Sequence, residues 1–170
     1  ALFRDCDKLC SYFHLPVQAG DDGMLTRMRR RHSRAEYLDL VATLREARPD
    51  LAFSTDIIVG FSGESDDDFQ KTVDLMEEIR FDSAFMFRYS ERSGTFAHKN
   101  MPDDVPDDVK AARLHQIIEL QEGISAQMNQ QWIGRTVEVL VEGKSRRPGP
   151  DGQPTFFGRS PQGKVTIIRE

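Results

Sequence analysis

Five groups of residues in this chain have the types and spacing to do chemistry. Cys6 and Cys10 form a Cys-x3-Cys pair, which is half of a cluster-binding motif, but Phe13 stands where the next ligand would fall. Two thiolates do not complete a four-ligand iron–sulfur site, so no metal ligand is assigned and the pair reads as small residues near a strand's start. Gly60-Phe61-Ser62-Gly63-Glu64 is a small-residue turn before a predicted helix, where bare amides attract anions. It lacks the Lys-Ser/Thr of a P-loop, and Glu64, Asp66, Asp67 and Asp68 would repel a phosphate. A neutral or zwitterionic ligand meeting the backbone fits better; plain turn chemistry is the alternative. His14 and Gln18 share one strand face and point into a barrel or at a ligand over its top, although a lone His in such a place is more often a hydrogen-bonded core residue. Arg27, Arg29, Arg30, Arg31 and Arg34 crowd one segment. Such a cluster usually coats a solvated helix, yet one guanidinium turned inward would meet a carboxylate bidentately. Lys144, Arg146, Arg147, Arg159 and Lys164 accompany Phe156 and Phe157, a pairing of charge with stacking that fits RNA binding; the alternative is a soluble tip loop.

The elements that must position these groups are legible from periodicity. Phe53, Thr55, Ile57, Val59 and Phe61 alternate with Ser54, Asp56, Ile58 and Gly60, which is strand spacing. Ser65 caps the helix that follows, with three aspartates in its first turn and Phe69, Val73, Met76 and Ile79 on its buried face. Ser11 to Gln18 alternates as an earlier strand, with Pro16 near its end because proline gives up a ladder hydrogen bond. Residues 19–23 form a turn, Met24, Leu25 and Met28 a short helical face, and Ser33 to Glu36 a capping box opening a helix that stops at Pro49. Ser83 to Ser90 is a third strand. Strands recurring with helices between them signal parallel β/α units. Glu91 to Asp104 is a loop, and Val105-Pro106 opens a helix to about Trp132, roughly 39 Å long. Strands follow at Thr136 to Glu142, around Phe156-Phe157, and at Val165 to Ile168, with no helical segment between them, as in a small β-barrel. The expected domains are 1–105, a partial (β/α) barrel; 106–133, a connecting helix; and 134–170, a β-barrel cut short.

Composition narrows the class further. The 170 residues can bury a real core. No apolar run approaches the ~20 residues of a membrane span, no signal segment opens the chain, and two cysteines fit a reducing cytoplasm. The net charge of -5 argues against a general nucleic-acid binder, but residues 1–131 carry -8 and residues 132–170 carry +3. The basic tail is a different surface.

Four runs in order resemble the radical S-adenosylmethionine (SAM) methylthiotransferases, most closely their MiaB-type branch. They are His14-Leu15-Pro16-Val17-Gln18-Ala19-Gly20, Asp56 to Glu64 followed by Asp68-Phe69, Tyr89 to Ala97, and Val141 to Ser145. The resemblance implies an α/β fold: strands four to six of a partial (β/α)6 TIM-like barrel, then the start of a TRAM barrel that grips RNA. It implies a fragment whose cluster-binding cysteines lie upstream of Ala1 and which is inactive alone. In the full-length protein it implies two 4Fe-4S clusters and SAM as cofactors. The implied reaction cleaves SAM to a 5'-deoxyadenosyl radical, which opens C2 of N6-isopentenyladenosine in tRNA to methylthiolation. The implied partners are the tRNA anticodon stem-loop and an electron donor such as flavodoxin or ferredoxin, with a cytoplasmic monomer and no membrane. Sister branches act on threonylcarbamoyl-adenosine or on a ribosomal protein, and a non-catalytic RNA-binding module is the reading from another class. Carried over residue by residue, Arg30 meets the cofactor's carboxylate, Gln18 and Gly20 line its ribose and methionine end, and Gly60 and Phe61 pack beside the adenine. Asp56 stands at the first Gly of the Gly-x-Ile-x-Gly-x-x-Glu motif, and Glu64 falls one residue late. RNA contacts are expected from Lys144, Arg146, Arg147, Arg159 and Lys164.

Overall fold

Three parallel strands make the centre of the molecule. In a computed structural model that describes residues 2–6, 8–146, 148–150 and 152–169, β1 (Tyr12–His14), β2 (Ala52–Val59) and β3 (Ser83–Arg88) lie side by side in that order. Tyr12 is in register with Ala52, and Ser54 with Ser83. Parallel neighbours need crossover connections. A short α1 (Leu2–Asp5) precedes the sheet, α2 (Asp22–Arg27) and α3 (Arg34–Ala47) carry the chain from β1 to β2, and α4 (Asp66–Ile79) carries it from β2 to β3. After β3 come α5 (Phe96–Asn100) and α6 (Asp107–Gln130). A second sheet, antiparallel, joins β4 (Leu140–Lys144), β5 (Phe156–Arg159) and β6 (Val165–Ile168) in that order.

Local chemistry sets the helix starts. Ser33 and Glu36 close a reciprocal capping box on α3, and Ser65 and Asp68 do the same on α4. At α6 no side chain caps the start, but Pro106 presets the entry and Asp107 and Asp108 face the positive end of the helix. The core lies on the helix side of β2. Phe53, Ile57 and Val59 are fully buried against Val17, Met76 and Ile79, and α6 closes the layer with Ile117. Each such side chain contributes about 1.5–3 kcal/mol by leaving water.

Several expectations need correction. The strand expected over Ser11 to Gln18 pairs only at Tyr12–His14, because Pro16 has no N–H to donate and Gln18 adopts φ 78° before one isolated bridge to Ile57. The stretch expected to be loop, Glu91 to Asp104, contains α5, whose Thr95 side chain accepts from the His98 amide. Turn chemistry at 19–23 gives way to helix at Asp22, with Asp21 as its cap. β4 begins at Leu140 rather than Thr136.

Gly20 is where α4 comes closest to the chain. Its amide donates to Thr72 Oγ1 at 2.9 Å, and a Cβ there would lie 2.2 Å from the Lys71 carbonyl oxygen. Gly20→Ala is expected to cost about 1–3 kcal/mol through forced backbone shifts; an unchanged urea midpoint would contradict this packing. Next to it, Asp21 accepts from the Met24 amide at 2.9 Å and from Lys71 Nζ at 2.7 Å, tying α2 to α4. Burial works to raise the Asp21 carboxyl, but the Lys71 ammonium and the Met24 and Gly23 amides outweigh it and hold it below its ordinary 3.8. A lowered folded value means that the stabilisation is present above pH 3.8 and is lost as the pH falls through that folded value. The stability gap between the parent chain and Asp21→Asn should therefore close on acidification, and a gap constant down to the acid transition would refute the assignment.

Candidate functional site

A cavity of about 630 Å³ opens over the carboxyl ends of β2 and β3, walled by the segments after β1 and α2. In α/β sheets of this kind ligands bind outside these strand ends. Gln18, Arg30, Asp56 and Phe61 all line it. Gly20 and Gly60 do not: Gly20 sits against α4, and Gly60 sits against α6, where a Cβ would lie 2.3 Å from Lys110 Cγ.

Each wall residue is held by a different element. Gln18 occupies the left-handed region, which is strained for a non-glycine residue. Two bonds to β2 fix it there, its amide to the Asp56 carbonyl and the Ile58 amide to its own carbonyl, both 2.9 Å. Asp56 sits on the open face of β2, with His14 Nε2 3.5 Å from its carboxylate. His14 Nδ1 and Ser54 Oγ are 2.8 Å apart, and Tyr12 Oη reaches the same hydroxyl, so a polar row crosses that face below the cavity. Phe61 packs edge-to-face on Tyr89, with ring centroids 4.7 Å apart. Phe85 and Phe87, on the same open face, are half-exposed at 56% and 53%.

The turn that carries Phe61 is pinned from α6. Gly60 and Gly63 both have positive φ, a conformation that costs glycine nothing. The buried Glu64 carboxylate accepts from the Gly60 amide at 2.6 Å and from Arg113 Nη1 at 2.7 Å, while Arg113 Nη2 reaches Asp66 at 2.7 Å. Burial pushes the Glu64 carboxyl above its ordinary value, against the opposing pull of the Gly60 amide and Arg113. Asp104 takes the Gly63 amide at 2.7 Å, and Ser62 Oγ donates to the Pro102 carbonyl. Carboxylates of the chain itself thus occupy the amides a phosphate would need. Lys110, 2% exposed, reaches Asp103 at 2.5 Å and lies 5.6 Å from the Tyr89 ring. Lys110 and Arg113 went unassigned from the sequence. The available signal was an arginine within the apolar stripe of α6, with a lysine one turn before it.

The five arginines expected as one cluster divide. Arg34 bonds the Lys71 carbonyl and Glu78 at the surface of α4, and Arg27 reaches the Ser62 carbonyl. Arg29 stacks on Phe96, 3.4 Å above the ring, and Arg30 lines the cavity; Arg31 is exposed. Of the tail residues, Lys144 and Arg146 are exposed and Arg147 lies outside the described residues. Arg159 pairs with Glu142 at 3.1 Å, and Lys164 bonds Asp82 and Asn129 at 2.8 and 3.0 Å. Cys6 and Cys10 are free, and among the described residues no group of three or more His, Cys, Asp or Glu could hold a metal ion. No helix of the described residues is long and apolar enough to cross a membrane.

Residues 1–76 match the family model described as the Radical SAM superfamily. The fold agrees, since the Escherichia coli coproporphyrinogen III oxidase HemN, a radical SAM enzyme, superposes with a TM-score of 0.57 over 67% of this chain and 27% of its own, at 20% identity. The methylthiotransferase resemblance read from the four motifs also holds. Over 160 residues, 94% of the chain, it is 49% identical to the tRNA-2-methylthio-N(6)-dimethylallyladenosine synthase of Porphyromonas gingivalis and 55% identical to that of Chlorobium limicola. The chain spans 34% and 35% of their lengths.

The pinned turn is open to direct test. Glu64→Ala leaves the Arg113 guanidinium buried without its main partner and the Gly60 amide without an acceptor, and is expected to cost about 3–5 kcal/mol. Chemical denaturation measures it, and a loss comparable to an exposed ion pair would show that the turn holds itself.

Proposed function

We propose that this chain is the SAM-binding and RNA-contacting part of a tRNA methylthiotransferase that modifies N6-isopentenyladenosine, the chemistry in its relatives' names. The observation that carries the reading is the convergence of Gln18, Arg30, Asp56 and Phe61 on one cavity over the strands' carboxyl ends. In this reading residues 1–105 are the C-terminal half of a (β/α)6 barrel, 106–133 a connecting helix, and 134–170 the start of a TRAM-like RNA-binding barrel. The protein works in the cytoplasm.

The cavity fits SAM. A zwitterionic sulfonium needs one cation for its carboxylate, anionic or neutral acceptors for its positive centres, and an apolar wall for its adenine. Arg30 supplies the first, Asp56 and Gln18 the second, and the Phe61–Tyr89 pair the third. Bound there, SAM supplies the hydrogen-abstracting and methylating chemistry of the family. The residues of this chain orient it: the strained Gln18 backbone and the α6-pinned turn hold two parts of the wall before the ligand arrives, so little binding energy goes into ordering them. Gly20 and Gly60 serve by letting helices approach. The iron–sulfur clusters do not fit this chain, whose two cysteines have no further ligands near them among the described residues, so they and the electron donor act through the rest of the full-length protein.

In the full-length protein, Arg30→Ala is expected to weaken SAM binding by about 1.5–3 kcal/mol, the worth of a hydrogen bond to a charged group, with Arg30→Lys recovering part of it. Calorimetry reads the affinity, and mass spectrometry of tRNA nucleosides reads the methylthio product. Unchanged affinity in Arg30→Ala would overturn the cofactor assignment.

A further inference from the structure

The cavity mouth carries far more positive charge than a single SAM molecule can use. Five guanidiniums line it, Arg27, Arg29, Arg30, Arg88 and Arg92, against one carboxylate, Asp56. This is the reverse of the chain as a whole, whose net charge is -5. Of the other described arginines, Arg4, Arg34, Arg48, Arg113 and Arg159 pair with acids and the remaining six do not. Among the described residues none of the five at the mouth does. Arg27 is spent on the Ser62 carbonyl and Arg29 lies on Phe96. Of the nearby carboxylates, Asp103 pairs with Lys110 at 2.5 Å, and Glu91 lies 3.6 Å from His98, an ion pair only when that imidazole is protonated.

Uncompensated like charges on one rim repel each other and persist where a polyanion neutralises them. One carboxylate, met by Arg30, leaves Arg29, Arg88 and Arg92 unused. The surface between them is aromatic as well as basic. Phe87 is 53% exposed and Phe96 41%, and the Arg29 guanidinium already forms a stacked plane on Phe96. Cations interleaved with flat exposed rings suit single-stranded RNA, whose phosphates need the first and whose unstacked bases need the second. An acidic protein would use the charges and leave the rings idle. A nucleotide whose base enters the cavity must also carry its flanking phosphates across this rim.

We infer that Arg88 and Arg92, with the stacked Arg29–Phe96 pair, form an RNA-backbone subsite at the cavity mouth, separate from the basic loop of the second sheet. The inference rests on the reading of this chain as part of an RNA-modifying enzyme. The test uses the full-length protein and an anticodon stem-loop RNA in filter binding across a salt series. Replacing both exposed arginines, Arg88→Gln with Arg92→Gln, is expected to lower affinity about tenfold or more and to reduce the slope of log K against log salt by about 1.4, two contacts at ~0.7 each. The Arg→Lys pair should restore the slope, because phosphate contacts need charge. SAM affinity without RNA should be unchanged, as a merely structural lesion would not allow. If the parent protein binds RNA and the double variant matches it, the subsite is wrong and the enzyme reading stands. If the double variant loses SAM affinity as well, the arginines serve the cofactor and the subsite is wrong. If the parent protein does not bind the RNA at all, both readings fall.

Discussion

One ion pair makes the cavity wall possible. The turn after β2 contains two residues with positive φ and ends at Glu64, whose carboxylate is buried. Left to itself such a turn would sample many conformations, because glycine imposes none. Arg113 from α6, which lies 49 positions along the chain from Glu64, supplies the restraint: it neutralises Glu64, and Glu64 in turn holds the Gly60 amide. The pair is expensive. Glu64 Oε1 and Arg113 Nε have no hydrogen-bond partner, and burying two charges for two good bonds rarely gains net stability over a well-packed apolar pair. What it secures is position. With Gly60 against the Lys110 stem and Lys110 beside Tyr89, α6 sets both rings that face the cavity without entering it.

The wall at Gln18 is held in a strained conformation by backbone bonds rather than by charge. Gln18 is held left-handed by two hydrogen bonds to β2, and a non-glycine residue in that region costs of order 1–3 kcal/mol. The parallel sheet offsets that cost because the same two bonds continue its ladder past Pro16. Both parts of the wall therefore depend on β2, one through the Asp56 carbonyl and the Ile58 amide and the other through the turn it feeds. The central strand organises the site as well as the core.

The parallel units were legible because β2 and α4 obey two periods at once, and because Ser33 and Ser65 announce their helices with matched acids three residues on. Three kinds of information were not local. Alternation placed Phe85 and Phe87 on one face of β3 but could not say that this face is open, since a barrel interior and a core read alike in a strand. A five-residue helix such as α5 leaves no period to find. Arg113 reads only as one more position on the stripe of α6 because its partner Glu64 is distant in sequence. At the cavity, the motif resemblance brought Gln18, Arg30, Asp56 and Phe61 to attention. The cationic rim was illegible because Arg88 and Arg92 lie far along the chain from the arginines of residues 27–34.

The second sheet sorts its own cations by strand end. The turn joining β5 to β6 reaches the amino ends of the parallel strands, where Gln162 bonds Asp50, Lys164 bonds Asp82, and Gly163 lies against the Tyr12 ring. Basic residues at that end are consumed in fixing the sheet to the body. Because β4, β5 and β6 are antiparallel, the connection from β4 to β5, which carries Arg146, emerges at the other end. Four residues of β5 at ~3.4 Å each set that loop about 14 Å from the docking turn. The cavity opens at the carboxyl ends of the parallel strands, the end opposite the docking turn.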